Sequence, residues 1–440
     1  MGNKTELKDR FDLVARRVRK HGLRGAREVR ERDLEELLEV AEELGDDGAI
    51  SEAFTLYAMF FVDRGKTAKA EETIEKALAH AERAGDDRRK AAALAVLGTT
   101  KYCLGDFDGA RETLENALEM AETSGALREI PRIYTGLANI YAFKRDFEGA
   151  ERHYREALSA ALGLGDRKEQ ATISTNIGHI CYCKGEYEKA ISAFRNAQRL
   201  ADEIGFERAV GYTTAGLGTV FLLLGMYEDC IDVYERAVRY HQSSKDLTGE
   251  GIAYLNVAQA YIGLDDLENA RRLCGKVYEI FGPNSESHDE MYLYYLNLIE
   301  SELALAEGNA VAALSAAEAA AEITRKIDFP MGEPKATYRQ ARAELAGGRP
   351  ERAVEYAKAA VEGAGETDED YCFYCYEYYR ALKACGVSDR AVEYLRKAYA
   401  IVRKTADSVS DNVLRRAYLN CREIAEIASA AGDEGVATSA

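Results

Sequence analysis

A six-residue phrase returns every 40 residues, and it constrains the fold more than any other feature of the chain. It reads Gly65-Lys66-Thr67-Ala68-Lys69-Ala70, Gly105-Asp106-Phe107-Asp108-Gly109-Ala110 and Arg145-Asp146-Phe147-Glu148-Gly149-Ala150, then Gly185 to Ala190, Gly225 to Cys230 and Asp265 to Ala270. Its small last residue falls at 70, 110, 150, 190, 230 and 270 without drift. Weaker copies end at Ala313, Ala353 and Ala391, after Gly308, Gly348 and Gly386, which makes nine units. Around each anchor the apolar residues step by three and four, as in Ile140, Tyr141, Phe147, Ala150, Tyr154 and Ala157, which is the period of a helix and not of a strand. A Gly at the turn suits the left-handed residue that commonly ends a helix, and a small residue lets the next helix approach. Each unit is therefore two antiparallel helices. Such a unit cannot bury its apolar face alone, so the units must stack into a solenoid.

Six segments follow from this pattern. Residues 1–33 are a basic helical segment with 11 Lys/Arg against 6 Asp/Glu; 34–281 hold the well-formed repeats. Residues 282–290 begin Gly282-Pro283-Asn284-Ser285-Glu286-Ser287-His288, a run of turn formers read as an enlarged inter-repeat loop and a candidate hinge. Degenerate repeats fill 291–405, a capping helix without a following partner spans 406–427, and 428–440 is expected to be a disordered tail.

In the middle of the chain the residues resemble the tetratricopeptide repeat family. Leu137-Ala138, Tyr141, Phe147, Ala150, Tyr154 and Ala157 fill that family's pattern. So do Ile177-Gly178, Gly185, Tyr187, Ala190, Phe194 and Ala197, and Leu217-Gly218, Phe221, Gly225, Tyr227, Tyr234 and Ala237 with Cys230 in the Ala place. A period of 40 is similar to the longer-repeat branch, which includes spindle-orientation adaptors, kinesin light chains, peptide-responsive Rap regulators and sensor regions of signal-transduction ATPases. The phrase Leu414 to Asn420 is similar to the end of the repeat region in such ATPases. The resemblance implies an all-α fold, a right-handed superhelical solenoid of about nine antiparallel helix pairs, and a binding surface in place of catalytic chemistry.

In such a stack the first helix of every pair lines the concave face, the default binding wall. Counted from the anchors, the wall holds Tyr102, Arg132, Asn139, Asn176, His179, Tyr182, Tyr212, Asn256 and Gln259, with Thr99, Phe143 and Thr219 beside them. It reads as polar, aromatic and nearly uncharged. Side-chain amides can donate to a peptide C=O and accept from its N–H at once, which singles out Asn139, Asn176 and Asn256. Some family members hold a C-terminal carboxylate with paired Lys and Asn on this wall; the Lys are missing here, which disfavours that mode.

Other features weigh toward packing. Cys372-Phe373-Tyr374-Cys375 has C-x-x-C spacing but no second pair and no nearby His, so both thiols are assigned to the core and no metal or cofactor is expected. The run Tyr371 to Tyr379 (YCFYCYEYY) carries aromatics on nearly every helical face, so some of them should be exposed. Lys8, Arg10, Arg16, Arg17 and Arg19 belong to a basic amphipathic segment read as a solvated helix packed on the first repeat.

A net charge of −18 disfavours general binding to nucleic acid or anionic membrane. There is no apolar run of about 18 residues, no secretory leader pattern, and no G-x-x-x-x-G-K-[ST], H-E-x-x-H or G-x-S-x-G. Nine scattered Cys point to a reducing cytoplasm. The expected function is that of a non-enzymatic adaptor receiving a protein or peptide segment in its groove. The alternative is a regulatory sensor that responds to a peptide or small ligand and controls a separate ATPase, kinase or transcription factor. Self-association into a homo-oligomer is open to either.

Overall fold

A computed structural model describes residues 2–24, 27–366, 368 and 370–436. Among them are 22 α-helices, one 3-10 turn at Pro330–Gly332 and no strand. The chain divides into two compact units, Met1–Lys184 with Lys189–Thr213, and Gly185–Glu188 with Thr214–Ala440.

The first unit contains α1 (Gly2–Arg24), α2 (Arg27–Leu44), α3 (Asp47–Val62), α4 (Thr67–Ala84), α5 (Asp87–Cys103), α6 (Phe107–Ser124), α7 (Ile130–Phe143), α8 (Phe147–Leu164), α9 (Arg167–Cys183) and most of α10 (Tyr187–Ile204). It ends within α11 (Glu207–Leu223). The second continues with α12 (Tyr227–Ser244), α13 (Leu247–Gly263), α14 (Leu267–Phe281), α15 (Glu290–Ala306), α16 (Ala310–Lys326), α17 (Glu333–Ala346), α18 (Pro350–Gly363), α19 (Tyr371–Ala384), α20 (Ser388–Ser408), α21 (Asn412–Asn420) and α22 (Arg422–Asp433). The pairs α3/α4 to α19/α20 are the nine repeats. The enlarged loop lies between Phe281 and Glu290, where the turn formers stand.

The local code is shorter than the 40-residue phrase. A residue with positive φ stands at 45, 65, 85, 105, 125, 145, 165, 185, 205, 225, 245 and 265, one for every helix end in this stretch. Nine of these are Gly; Arg145, Lys245 and Asp265 hold the same left-handed conformation at φ 59°, 54° and 61°. The next residue often caps the following helix. Asp46, Asp86, Asp106, Asp146, Asp166, Asp246 and Asp266 each accept a hydrogen bond from a backbone N–H two or three residues on, satisfying donors that a helix start leaves open. One doublet thus closes a helix and opens its successor.

Packing between the helices of a pair rests on a small residue facing a large one. Ala70, Ala110, Ala150, Ala190, Cys230 and Ala270 expose no surface. A Cβ on Gly98 would stand 2.5 Å from Leu114, on Gly178 2.7 Å from Phe194, and on Gly218 2.3 Å from Tyr234. These glycines are set by close approach and not by backbone torsion.

Three expectations need correction. The segment 1–33 is not separate from the residues after it: α2 runs through it to Leu44 and packs on α1 through Phe11, Val14, Val18, Leu34, Leu37 and Val40. Arg10, Arg17 and Arg19 pair with Glu36, Asp33 and Glu52, so an added helix pair precedes the repeats.

The end of the chain is not one capping helix over 406–427 with a tail over 428–440. The segment α20 reaches Ser408, α21 and α22 follow, and helix continues to Asp433 with Val436 buried; residues 437–440 of the expected tail lie outside the described residues. Within the second unit this end turns back: Ser408 Oγ donates to Gly185 O (3.2 Å), Ser410 Oγ to Glu188 Oε2 (2.6 Å), and Cys421 Sγ lies 3.5 Å from Tyr227 Oη. The apolar stripe of the last segment is therefore partnered, with Ile424 and Ile427 buried.

The tyrosines of α19 are not exposed. Tyr371, Tyr374, Tyr378 and Tyr379 are buried, Tyr374 and Tyr378 almost completely, because α17, α18 and α20 flank the helix and Glu434, just beyond α22, meets Tyr379. Cys372 and Cys375 are buried beside them, and burial raises both thiols, Cys375 to about 11.

Candidate functional site

In the first unit the odd-numbered helices touch one another, α3 against α5, α5 against α7 and α7 against α9, whereas the even-numbered helices make no comparable contact among the described residues. The stack therefore closes on the odd side, which is its inner wall. Arg132 demonstrates the curvature. From α7 its Nη1 reaches past α5 to Met59 Sδ on α3 at 2.8 Å.

Arg132 is the polar centre of this wall. It pairs with Glu129, which immediately precedes its own helix, and Asp63 after α3 and Glu169 on α9 act on it electrostatically. Burial pulls its pKa below the ordinary arginine range, with Glu169 and Asp63 opposing the shift. Burial likewise raises Glu169, with Arg132 opposing. The guanidinium is thus a desolvated cation with spare donor capacity: Nε is buried and has no hydrogen-bond partner. A guanidinium fork in this state suits a carboxylate or a pair of carbonyl oxygens.

Asn176 and His179 stand three apart on α9 and so on one helix face, with Glu169 two turns earlier on the same face. Asn176 is half-buried and makes no side-chain hydrogen bond among the described residues, so both its donor and its acceptor are available. His179 keeps an exposed edge and meets Phe194 edge-on, ring centroids 5.0 Å apart. The surrounding wall lowers its pKa by burial, so at neutral pH it is an uncharged imidazole with one donor and one acceptor. Exposure together with desolvation marks a concave surface.

The remaining wall residues divide. Asn139 lies two turns beyond Arg132 on α7, but its Oδ1 accepts from Tyr154 Oη at 2.5 Å, so half of that amide is committed to packing. Tyr102 is half-buried and packs edge-on against Phe107, 5.6 Å between centroids. Phe107 in turn stacks on the exposed Phe143 at 4.1 Å. Tyr182 is half-buried, and Tyr212 is 57% exposed near the end of the first unit.

Asn256 and Gln259 belong to α13 of the second unit. There Asn256 Nδ2 donates to Ile252 O at 2.9 Å within its own helix, and Gln259 makes no side-chain hydrogen bond among the described residues. The ladder of three asparagines therefore reduces in the first unit to one open amide and one half-committed one. Nor is the wall nearly uncharged, as expected from its residues at the anchors, since Asp63, Glu129 and Glu169 ring Arg132. Counting from the anchors misses these carboxylates because they sit at helix ends. The heptad step from Asn176 back to Glu169 is the signal that could have found one of them.

The comparisons with known proteins bear on this geometry. A model of the MalT-like TPR region matches residues 164–385, half of the chain, and two other tetratricopeptide repeat models match 49–123 and 95–161. The chain belongs to the tetratricopeptide repeat (TPR) family. Among solved structures it is similar to the apo form of the quorum sensor NprR from B. thuringiensis, at 17% identity and a TM-score of 0.61 over 82% of this chain and 99% of that one. It is also similar to aspartyl phosphate phosphatase F from Bacillus subtilis, at 14% identity and a TM-score of 0.54 over 80% and 94% of the two chains. A third is the Rap conjugation gene regulator of plasmid pLS20 in complex with the Phr peptide, at 13% identity and a TM-score of 0.51 over 82% and 97%. At these identities the likeness is one of TPR fold. No curated protein matches the chain by sequence. Among the described residues no helix is long and apolar enough to cross a membrane.

Proposed function

We propose that this TPR protein binds a peptide or an extended segment of a partner along the inner wall of its first unit. The observation that carries the reading is the open amide of Asn176 beside the exposed, neutral His179 on α9, with the partly exposed guanidinium of Arg132 on the neighbouring α7. Arg132 would receive a carboxylate or backbone carbonyls, Asn176 would pair with a peptide group through both its donor and its acceptor, and Asn139 would add its free Nδ2. Phe143, 59% exposed at the end of α7, would take an apolar side chain.

The role is that of an adaptor or of a peptide-responsive regulator, without catalysis. His179 is held against an aromatic ring and not against a carboxylate, which supports recognition over proton transfer. Likeness to the pLS20 regulator bound to its peptide supports a peptide as the ligand class. The nine cysteines are scattered along the chain without the dense spacing of a disulfide framework, which favours a cytoplasmic setting.

The test is a displayed random-peptide library screened against the intact chain, with selected peptides then measured by fluorescence anisotropy. Asn176→Ala with His179→Ala should weaken them at least about tenfold, the scale of losing two hydrogen bonds, each about 0.5–1.5 kcal/mol. Far-UV circular dichroism should be unchanged, because neither side chain hydrogen-bonds to the described protein. Equal affinity of both forms would refute the assignment.

A further inference from the structure

The two C-terminal helices are attached to the second unit in an unusual manner. The nine-residue α21 buries one side chain, Tyr418, while Val413 is 71% and Leu419 37% exposed. It is held by a hook at its start, by Arg415 Nε, which donates to Ala406 O at 2.9 Å and Val409 O at 2.8 Å, and by a contact at its end. At the start, Glu188 accepts from Ser410 Oγ at 2.6 Å and from the backbone N–H of Asp411, and at the end Cys421 lies against Tyr227. An element with so few buried contacts belongs to the low-stability end of a structure.

The following α22 packs its apolar stripe on α20 and turns an acidic edge to the odd-numbered helices. Glu423 accepts from Arg342 Nη1 on α17 at 2.5 Å, and Glu434 accepts from Lys383 Nζ on α19 at 2.7 Å and from Tyr379 Oη at 3.3 Å. These two carboxylates are eleven residues apart, three helical turns, and so share one face. Between α22 and α19 a crevice of about 650 Å³ remains, lined by Tyr376, Tyr379, Arg380, Glu426, Ala430 and Asp433. The contact between the helices is thus polar and incompletely filled, unlike the repeat cores.

The face beneath is built for this contact. Arg342 and Arg380 stand among tyrosines, with the guanidinium of Arg342 5.6 Å from the Tyr338 ring and that of Arg380 6.0 Å from the Tyr376 ring. Burial would cost two such cations heavily without carboxylates to meet them, and Glu377 and Glu423 supply these.

We propose that the inner face of α17 and α19 is a receptor for an acidic amphipathic helix, held closed by α21–α22 acting as the chain's own ligand. A partner helix with carboxylates three turns apart, matching Arg342 and Lys383, displaces the segment by competition. Lifting needs the Glu188 hook, the Tyr227 contact, the two ion pairs and the apolar packing of Tyr418, Ile424 and Ile427 to yield, while the nine repeats contain none of the moving backbone. This site is separate from the wall of the first unit and does not rest on the function proposed for it.

The test uses the full chain and a fluorescent peptide with the natural sequence of residues 409–436. In the parent the face is occupied and the peptide binds weakly. With Glu423→Lys and Glu434→Lys in the chain, its own segment is repelled while the receptor face is intact, and the peptide should bind at least tenfold more tightly. Adding Arg342→Glu to that variant should remove the gain. Hydrogen exchange should accelerate over 409–436 and stay slow over α19, which shows the repeats folded. Should the lysine pair unfold α17 or α19, Ser410→Ala in the chain removes one of the two hydrogen bonds of the hook, leaves Glu188 for the peptide, and should give the same order with a smaller ratio. Equal peptide binding by parent and variants, or none by either, would overturn the proposal.

Discussion

The substitution Gly218→Ala sets two known effects against each other at one position. In an open helical site Gly→Ala stabilises by about 1 kcal/mol, because Ala loses less backbone entropy. At Gly218 the new Cβ would lie 2.3, 2.7 and 3.0 Å from three ring carbons of Tyr234. That ring is 1% exposed and is pinned by its hydroxyl, which donates to Ala215 O at 3.1 Å. Overpacking a filled core costs about 1–3 kcal/mol, and a ring that moves aside forfeits a hydrogen bond of about 1 kcal/mol. The net is a loss of about 1–3 kcal/mol after the propensity gain. Gly275, inside α14 of the same unit, is the control: it is exposed, a Cβ there meets nothing within 4 Å, and Gly275→Ala should gain about 1 kcal/mol. The two variants should therefore differ by about 2–4 kcal/mol with opposite signs. Repeat arrays need not unfold in one step, so urea titrations by circular dichroism should be paired with hydrogen exchange across α11 and α12. Combining Gly218→Ala with Tyr234→Leu should recover at least about 1 kcal/mol relative to the sum of the singles, since the smaller side chain makes room. Equal stability of the two alanine variants, or strict additivity in the double variant, would refute the close-approach argument.

Arg145→Gly and Lys245→Gly should each stabilise by about 1 kcal/mol and raise the thermal midpoint, because both residues hold left-handed backbone at φ 59° and 54° where an L side chain is strained. Removing the carboxylate that meets buried Arg339 should be severe: Glu302 Oε2 is 2.7 Å from Arg339 Nη2, and Glu302→Ala should cost about 3–5 kcal/mol in urea titrations, while adding Arg339→Met restores most of it. Burial depresses His179 and His153, so their folded values lie below the unfolded one near 6.5. The unfolded chain then binds protons first as pH falls, and stability drops from about pH 6.5 downward until the folded rings also protonate. His179→Gln should flatten that part of the curve in denaturation measured between pH 7.5 and 5.

The repeats were legible because their determinants are local. A Gly followed by Asp, as at 45–46, 85–86, 105–106 and 165–166, ends one helix and caps the next within two residues. Where Arg145, Lys245 and Asp265 replace the Gly, the neighbouring copies carried the reading and the side chain did not. The inner wall was legible only in part. Asn176 and His179 follow from counting along α9, but Asn139 is claimed by Tyr154 on the next helix, a competition that no spacing rule reveals. Arg132 was placed on the wall correctly, yet its meaning comes from Met59, a residue 73 positions away.

The C-terminal segment lay furthest from the sequence, since its contacts join Ser410 to Glu188 and Cys421 to Tyr227 across 222 and 194 residues. Even so, the run from Tyr371 to Tyr379 carried its imprint. A helix with one open side shows an amphipathic stripe, and a helix apolar all round has neighbours all round. In a stack of helix pairs α17, α18 and α20 cover three sides of α19, which leaves the side toward the inner face. That side bears Tyr376, Tyr379 and Arg380, residues that are apolar in the ring and polar at the tip, and their partners come from α22 and the residue just after it. Tyrosine and arginine serve where a surface is sometimes covered and sometimes wet, whereas Leu or Phe would bind the covering segment permanently. The composition of α19 is thus explained by a cover that can leave.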